Sequence, residues 1–268
     1  MFAVMLVVIN IVVAILGVYL FDYQGDMVVD SPLIIILSIL GGTLVSLAVF
    51  FLYIEIFYYT VAKRFPQNSM FKHAIAKQIM TVPLFFTNTR IKVVGLENLP
   101  KDPGFSIYAN HTSMMDIPVL MYKLKKYPVA FLAKKVVADL FAIGKWTPPL
   151  GCVSIDRTDA RKGAEAIIKV IKNVKSGSTM VVFPEGTRTH EIGKLIEFKA
   201  GSFKVALKSK APLVPMTIVK PLNFKEVKWP FVKRITLVIH EPILFEDFKQ
   251  MSSADLCEKV KTIIEGSL

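Results

Sequence analysis

The chain opens with apolar residues and almost nothing else. Met1 to Phe21 contains no charged residue, and neither does Leu33 to Ile54. A helix crossing a hydrocarbon core needs about 20 predominantly apolar residues, and each run is of that order. Between the runs lie Asp22, Asp26 and Asp30 with Ser31-Pro32, and no lysine or arginine; Lys63, Arg64, Lys72 and Lys77 follow the second run. This asymmetry predicts a membrane hairpin with both ends in the cytoplasm and the short acidic loop outside. A cleaved signal peptide fits poorly, because the first run lacks a basic start and no small-residue cleavage site precedes the second.

The pattern then changes period. From Asn68 to Thr87, Phe71, Ile75, Ile79 and Val82 recur at helical spacing against Lys72, Lys77 and Gln78. That amphipathic helix suits the bilayer interface, and it equally suits packing on a core. Farther on, short apolar runs alternate with helical ones. Ile91–Val94, Phe105–Ala109, Val129–Ala133, Cys152–Ile155, Met180–Phe183, Leu213–Val219 and Ile235–Ile239 read as strands. Helices are expected over Ile117–Lys125, Lys134–Phe141, Asp159–Lys175, Phe203–Lys208 and Ser253–Ile264. The clearest is Asp159–Lys175, where Ala160, Ala164, Ile167, Ile168, Ile171 and Val174 share one face and Gly177 ends the segment. Alternating strands and helices predict an α/β domain with a mostly parallel sheet flanked by helices. The chain thus divides into residues 1–64, two apolar membrane helices; 65–90, an amphipathic interfacial connector; and 91–268, the α/β domain.

Composition sharpens this picture. A hydrophobic content of 53% and a mean hydropathy of +0.50 exceed the range of ordinary soluble domains. The net charge of +12 arises from 33 basic and 21 acidic residues, a balance suited to anionic lipid headgroups or a phosphorylated substrate. Nucleic acid is not expected as a partner, because there is no zinc spacing, no RNA-binding aromatic signature and no long basic run. Cys152 and Cys257 are too few for a disulfide framework. His73, His111, His190 and His240 are scattered without ligand spacing, so no metal site is expected.

Chemistry concentrates where two strands end. Phe105–Ala109 runs into Asn110-His111-Thr112-Ser113-Met114-Met115-Asp116, and the strand ending at Phe183 runs into Pro184-Glu185-Gly186-Thr187-Arg188. A neutral imidazole can take a proton from an alcohol near neutral pH, and a carboxylate on its other nitrogen fixes the tautomer. No protein nucleophile is needed if the alcohol belongs to the substrate. Ser113-x-x-Asp116 is also a capping-box pattern, so Asp116 has a second, structural reading as the tie at a helix start. Arg188 offers a bidentate anion donor, with a surface turn arginine as its bland alternative. Ser113 lacks a nucleophile elbow around it and reads as a helix cap.

Several blocks occur together in a fixed order. Asn110-His111-x4-Asp116, Gly151-Cys152-Val153-Ser154-Ile155-Asp156-Arg157, Phe183-Pro184-Glu185-Gly186-Thr187-Arg188, Phe198-Lys199-Ala200-Gly201 and Val214-Pro215 succeed one another along the chain. Over roughly residues 91 to 220 the chain resembles the glycerolipid acyltransferase family, in its 1-acyl-sn-glycerol-3-phosphate acyltransferase branch. Cys152 and Ser154 vary only apolar positions of the second block.

The resemblance implies transfer of an acyl group to lysophosphatidate, giving phosphatidic acid. The acyl donor is a thioester of acyl carrier protein or coenzyme A, with no further cofactor. His111 is then the general base and Asp116 its orienter, with backbone N–H groups near the His111 turn as candidate oxyanion donors. Lys134, Arg157, Glu185, Gly186, Thr187 and Arg188 are expected on the substrate side. Lys135 stands beside Lys134 as an alternative phosphate ligand, and Glu185 is expected to orient Arg188 or to bind glycerol hydroxyls. Localisation follows from the hairpin: a membrane protein with its catalytic domain on the cytoplasmic face.

Other acceptors remain open within the class, namely glycerol-3-phosphate, another lysophospholipid or a lysoaminolipid. Outside it stands a non-catalytic anionic-lipid-binding protein on the same scaffold, and pure binding gives no reason for a base–orienter pair. A membrane-tethered nucleic-acid binder is more distant.

Overall fold

The computed structural model describes residues 2–23, 32–134, 139, 141–156, 159–189 and 191–268. Arg157, Lys135, His190 and most of the expected helix over 134–141 lie outside the described residues, as does most of the acidic stretch between the two apolar runs. The chain divides into two compact units, Met1–Arg64 and Phe65–Leu268.

The first unit is a helical hairpin. Helix α1 spans Phe2–Tyr23 and α2 spans Pro32–Phe57. Both are long and apolar enough to cross a membrane. Most of their apolar surface is exposed, and their contact combines apolar residues such as Phe2, which packs on Tyr53, with small and polar ones. The Asn10 side chain donates to the Thr43 hydroxyl at 2.9 Å, and Ser46 donates to the Leu6 carbonyl at 2.9 Å. At Gly42 a Cβ would come within 2.5 Å of the Asn10 carbonyl oxygen, so only glycine admits this approach. Small residues and interhelical hydrogen bonds are how helices associate where no water drives them together.

The second unit carries a seven-stranded sheet in the order β1-β7-β6-β2-β5-β3-β4. The strands are β1 Thr89–Val94, β2 Ser106–Ala109, β3 Val129–Lys134, β4 Val153–Ile155, β5 Thr179–Val182, β6 Leu213–Val219 and β7 Lys233–Ile239. All neighbours are parallel except β6 and β7. That exception follows from the linkage: residues 220–232 hold only a short turn of helix, Leu222–Lys225, too little for a crossover. Every residue of β2 and of β5 is buried, Ser106 and Thr179 included, which is why both read as mostly apolar runs in the sequence.

Helix α5, Ala160–Lys175, is capped by Asp159, whose side chain accepts from the Arg161 and Lys162 N–H groups. It shares a core with α6, Lys204–Ser209, and α8, Ser253–Glu265, through Val170, Val174, Phe203 and Val260. Within that core Tyr108 stacks on Phe203 at a centroid distance of 4.3 Å and donates its hydroxyl proton to the Ser202 carbonyl at 2.9 Å. A four-residue helix, α7 Phe245–Phe248, buries Phe248 and has no counterpart in the sequence pattern.

The segment 65–90 lies inside this second unit rather than beside it. Its helix α3, Met70–Phe86, packs against β1 and against α4, Asp116–Lys123. Ile75 and Ile79 are buried, in line with their spacing, whereas Phe71 is exposed. Lys72 and Lys77, the polar side of the expected amphipathic pattern, are buried as well. The cause is local. The Lys72 ammonium donates to the carbonyls of Phe65 and Pro149 at 2.9 and 2.7 Å. The Lys77 ammonium donates to those of Leu124, Lys125 and Tyr127 at 3.0, 2.9 and 2.7 Å. Lys77 thus satisfies carbonyls at and beyond the C-terminus of α4, where a cation is also favoured by the helix dipole. Burial pulls the Lys77 pKa down to about 8.

Replacing Lys77 with Met should therefore cost about 2–4 kcal/mol, since carbonyls that it serves lose their donor. Denaturant unfolding of the detergent-solubilised full chain checks this. A change within a few tenths of a kcal/mol would show that water replaces the ammonium at no cost.

Candidate active site

The strands β2, β3, β5 and β6 all finish at one edge of the sheet, because they run parallel. Ligands in open α/β sheets bind beyond the carboxyl ends of such strands. Here β2 delivers His111, β5 delivers Phe183 to Arg188, β3 ends on Lys134, and β6 is followed by Lys220.

The end of β2 is fixed first. Asn110 is fully buried, and its side-chain oxygen accepts from the Ile218 N–H at 2.7 Å while its amide donates to the Ile218 carbonyl at 3.1 Å. The side chain thereby extends the pairing of β2 with β6 by one rung. His111 then hangs from its own backbone. Its N–H donates to Glu185 Oε1 at 2.7 Å, and its carbonyl accepts from the Thr189 N–H at 2.9 Å. The turn carrying Glu185 is sharp, with the Gly186 N–H returning to the Phe183 carbonyl at 3.0 Å. Gly186 has φ +76°, a left-handed conformation that favours glycine, and a Cβ there would also press on the flexible Lys199 stem at 3.0 Å.

The ring of His111 is held on two sides. Phe183 stacks on it at 4.1 Å between centroids and 17° between planes. Asp116 Oδ2 lies 2.8 Å from Nδ1. That same oxygen accepts from the Thr112 and Ser113 N–H groups at 2.8 and 2.9 Å. Oδ1 pairs with the Lys220 ammonium, which also donates to the Thr112 hydroxyl. Burial alone would raise the Asp116 pKa. The hydrogen bond from His111, the Lys220 charge and the Ser113 N–H together override that and hold it below the usual carboxylate range. The carboxylate is therefore an acceptor only, so Nδ1 must be the protonated nitrogen and Nε2 carries the lone pair. Lys220 is buried too; burial lowers its pKa and Asp116 opposes that.

Asp116 does not close the expected capping box: α4 begins at Asp116 itself, with Met115 at its N-cap position and no side-chain cap. The Asp116 carboxylate accepts from the Ser113 N–H in the turn before the helix and holds the imidazole at Nδ1. Ser113 Oγ accepts the Met115 N–H at 3.0 Å within that turn, so the expected Ser113 helix cap is not formed. The N–H groups expected near this turn as oxyanion donors are engaged: those of His111, Thr112 and Ser113 point at Glu185 and Asp116. Glu185 also departs from expectation. It is buried at 2% exposure, its oxygens accept from the backbone N–H groups of His111 and Ile196, and burial raises its pKa to about 7. It is a clasp between the two turns.

His111, Lys134, Gly186, Thr187 and Arg188 line one cavity of about 180 Å³, floored by Ile117, Phe131 and Phe183. Thr187, Arg188 and Lys134 are exposed at it. An adjoining apolar groove of about 460 Å³ shares Leu132, Phe183 and Gly186 with that cavity and runs along Ile155, Ala164 and Ile167. Lys199, from the Phe198-Lys199-Ala200-Gly201 block, lines the groove and not the histidine cavity. Arg157 lies outside the described residues.

Residues 90–219 match the family model described as Acyltransferase. A probable 1-acyl-sn-glycerol-3-phosphate acyltransferase of Mycoplasma pneumoniae is 30% identical over 220 residues, covering 76% of this chain and 79% of that protein. The 1-acyl-sn-glycerol-3-phosphate acyltransferase of Bacillus subtilis is 33% identical over 166 residues, or 62% of this chain and 79% of that one. This chain belongs to the 1-acyl-sn-glycerol-3-phosphate acyltransferase family. The fold agrees with a solved member. The crystal structure of the 1-acyl-sn-glycerophosphate acyltransferase of Thermotoga maritima superposes with a TM-score of 0.59 at 24% identity, covering 82% of this chain and 93% of that one. The chain is thus an acyltransferase, and the His111 turn and the Arg188 turn both fall within the segment matched by the family model.

Lys220 was not legible as a site residue, although a lysine directly after an apolar strand at the carboxyl edge was a usable signal. Its loss gives a test. Lys220→Met leaves the Asp116 carboxylate buried without its cation and should cost about 3–5 kcal/mol near neutral pH. The sign with pH is defined. In the wild type the depressed Asp116 contributes stability that is present above about pH 4 and lost as the pH falls further. In the variant the unpaired carboxyl prefers its proton, so the deficit against wild type should shrink on acidification. Denaturation curves at neutral pH and at about pH 4 measure both, and an equal deficit at the two would exclude the ion pair as its origin.

Proposed function

We propose that the protein transfers an acyl group from an acyl thioester, of acyl carrier protein or coenzyme A, to the free sn-2 hydroxyl of 1-acylglycerol-3-phosphate, forming phosphatidic acid. The observation that carries this reading is the oriented His111–Asp116 pair opening into a cavity that also presents Arg188 and Lys134. A base for a hydroxyl and two cations for a phosphate sit within one small volume, as a lysophosphatidate acceptor requires.

In this mechanism Nε2 of His111 accepts the hydroxyl proton as the acceptor oxygen attacks the thioester carbonyl carbon. The C–S bond then breaks, and the imidazolium returns its proton to the departing thiolate. Asp116 stabilises the imidazolium through Nδ1–H. Arg188 and Lys134 bind the acceptor phosphate with Thr187 beside them, and Gly186 lets the backbone approach. The adjoining apolar groove suits an acyl chain. Arg157 belongs to the same acceptor set by its motif. The two apolar helices of residues 2–57 embed the chain in the membrane, with the acidic loop outside and the catalytic unit facing the cytoplasm. No metal or further cofactor enters the reaction.

The reading is tested with the purified full chain, a radiolabelled acyl donor and a panel of lysolipids with glycerol-3-phosphate. Lysophosphatidate should be the preferred acceptor, and transfer to glycerol-3-phosphate alone would overturn the assignment. His111→Ala should lower turnover about a hundred- to ten-thousand-fold while the protein remains folded and membrane-bound. Near-normal turnover in that variant would remove the base from the mechanism. Arg188→Ala should raise the Michaelis constant for the lysolipid far more than for the donor, since charge-assisted phosphate contacts contribute roughly 1.5–3 kcal/mol each. Equal effects on the two substrates would mark Arg188 as structural.

A further inference from the structure

Residues 221–232 join β6 to β7 and place large apolar side chains in the open. Leu222, Trp229 and Phe231 are 82%, 74% and 71% exposed. The loop is nevertheless built. Phe224 is buried beneath it, with the Lys220 and Lys233 ammonium groups 5.3 and 5.2 Å from its ring. The Asn88 side chain donates to the Pro230 carbonyl at 2.8 Å, and the Lys233 N–H donates to the Asn88 carbonyl at 3.0 Å. Asn88 also brings in the end of α3, where Phe85 and Phe86 are exposed and meet edge to face at 5.4 Å.

The surroundings are basic. Between Pro221 and Arg234 the sequence holds Lys225, Lys228, Lys233 and Arg234 against Glu226 alone. Arg90 is paired in register with Arg234 across β1 and β7, and both are exposed. Topology then fixes where this surface lies. Strand β7 runs antiparallel to β6 and parallel to β1. The start of β1, the start of β7 and the 221–232 loop therefore share the sheet edge at which β2 delivers His111 and β5 delivers Arg188.

We propose that this aromatic and basic surface docks on an anionic lipid leaflet, setting Leu222, Trp229 and Phe231 among the headgroups and holding the catalytic edge against the bilayer. Trp and Phe tips among Lys and Arg match the headgroup layer, where an amphipathic ring and a cation are both favoured. A second copy of the chain is a poor occupant, because symmetric pairing would set like charges against each other. The inference rests on a membrane-borne acceptor, and it adds an attachment separate in sequence from the apolar helices.

The test uses the full chain reconstituted in phosphatidylcholine vesicles with and without phosphatidylglycerol. The sequence has two tryptophans, and Trp146 is buried, so subtracting the spectrum of Trp229→Phe isolates Trp229. In anionic vesicles its emission should shift to the blue, resist aqueous acrylamide and be quenched by lipids brominated near the headgroup. An indole that stays acrylamide-accessible overturns the proposal. One shielded from acrylamide yet untouched by brominated lipid overturns it as well, in favour of a protein contact. This arm needs no turnover, so it decides the surface even if the acyltransfer reading fails. In a second arm, Leu222→Ser, Trp229→Ser and Phe231→Ser combined should cut turnover of vesicle-borne lysolipid about tenfold and leave that of a short-chain, water-dispersed lysolipid unchanged. Equal loss in both assays would mean a folding role and refute docking.

Discussion

Asp116 is the constraint on which the site depends. Its carboxylate is fully buried and takes four donors: an imidazole N–H, two backbone N–H groups and an ammonium. A charge in such a place is tolerable only when it is saturated, and its donors come from the loop between β2 and α4 and from the end of β6. The imidazole brings the end of β2, the two N–H groups bring the turn before α4, and the ammonium brings the end of β6. Ionising one residue therefore draws that loop and the end of β6 together, and the tautomer of His111 is a by-product of that closure.

The other half of the frame is main-chain. Parallel β2, β5 and β6 bring their ends to one edge, but strand pairing alone leaves the turns beyond them loose. Asn110 and Glu185 close that gap. One extends the β2–β6 pairing to Ile218, and the other ties the backbone of His111 to the turn that follows β5. The Phe183 ring then fills the space between the turns and lies flat on the imidazole. Preorganised groups of this kind need no rearrangement when charge develops, which is where such sites gain rate.

Much of this was legible in the residues. The buried strands β2 and β5 announce themselves as mostly apolar runs, and α5 shows its extent and its Gly177 stop, although Ala164 and Ile168 of its expected face are exposed and Ala166 and Val170 are buried instead. The motif blocks gave the two turns in order. What was not legible is the fate of single polar side chains. Lys72, Lys77 and Lys220 look like solvated residues in sequence. Their burial depends on carbonyls and a carboxylate that reach them only when distant segments fold together, with Leu124 lying 47 positions from Lys77 and Asp116 lying 104 from Lys220. Glu185 was misread for the same reason: its partners are backbone N–H groups, which carry no mark in the sequence. The strand limits moved by a residue or two because hydrogen bonding, not hydropathy, ends a strand.

The way His111 is held separates position from identity. Its N–H and its carbonyl are each engaged by the turn after β5, and neither bond involves the imidazole. The pedestal would stand with another side chain upon it, since nothing in its geometry consults the ring. Base and main-chain pedestal are thus separable, although without the imidazole Asp116 loses one of its four donors and Phe183 its stacking partner. The loop path and the phosphate cations can survive while the chemistry is silenced, and so the same architecture can serve as an enzyme or as an inert lipid receptor by the choice of one residue.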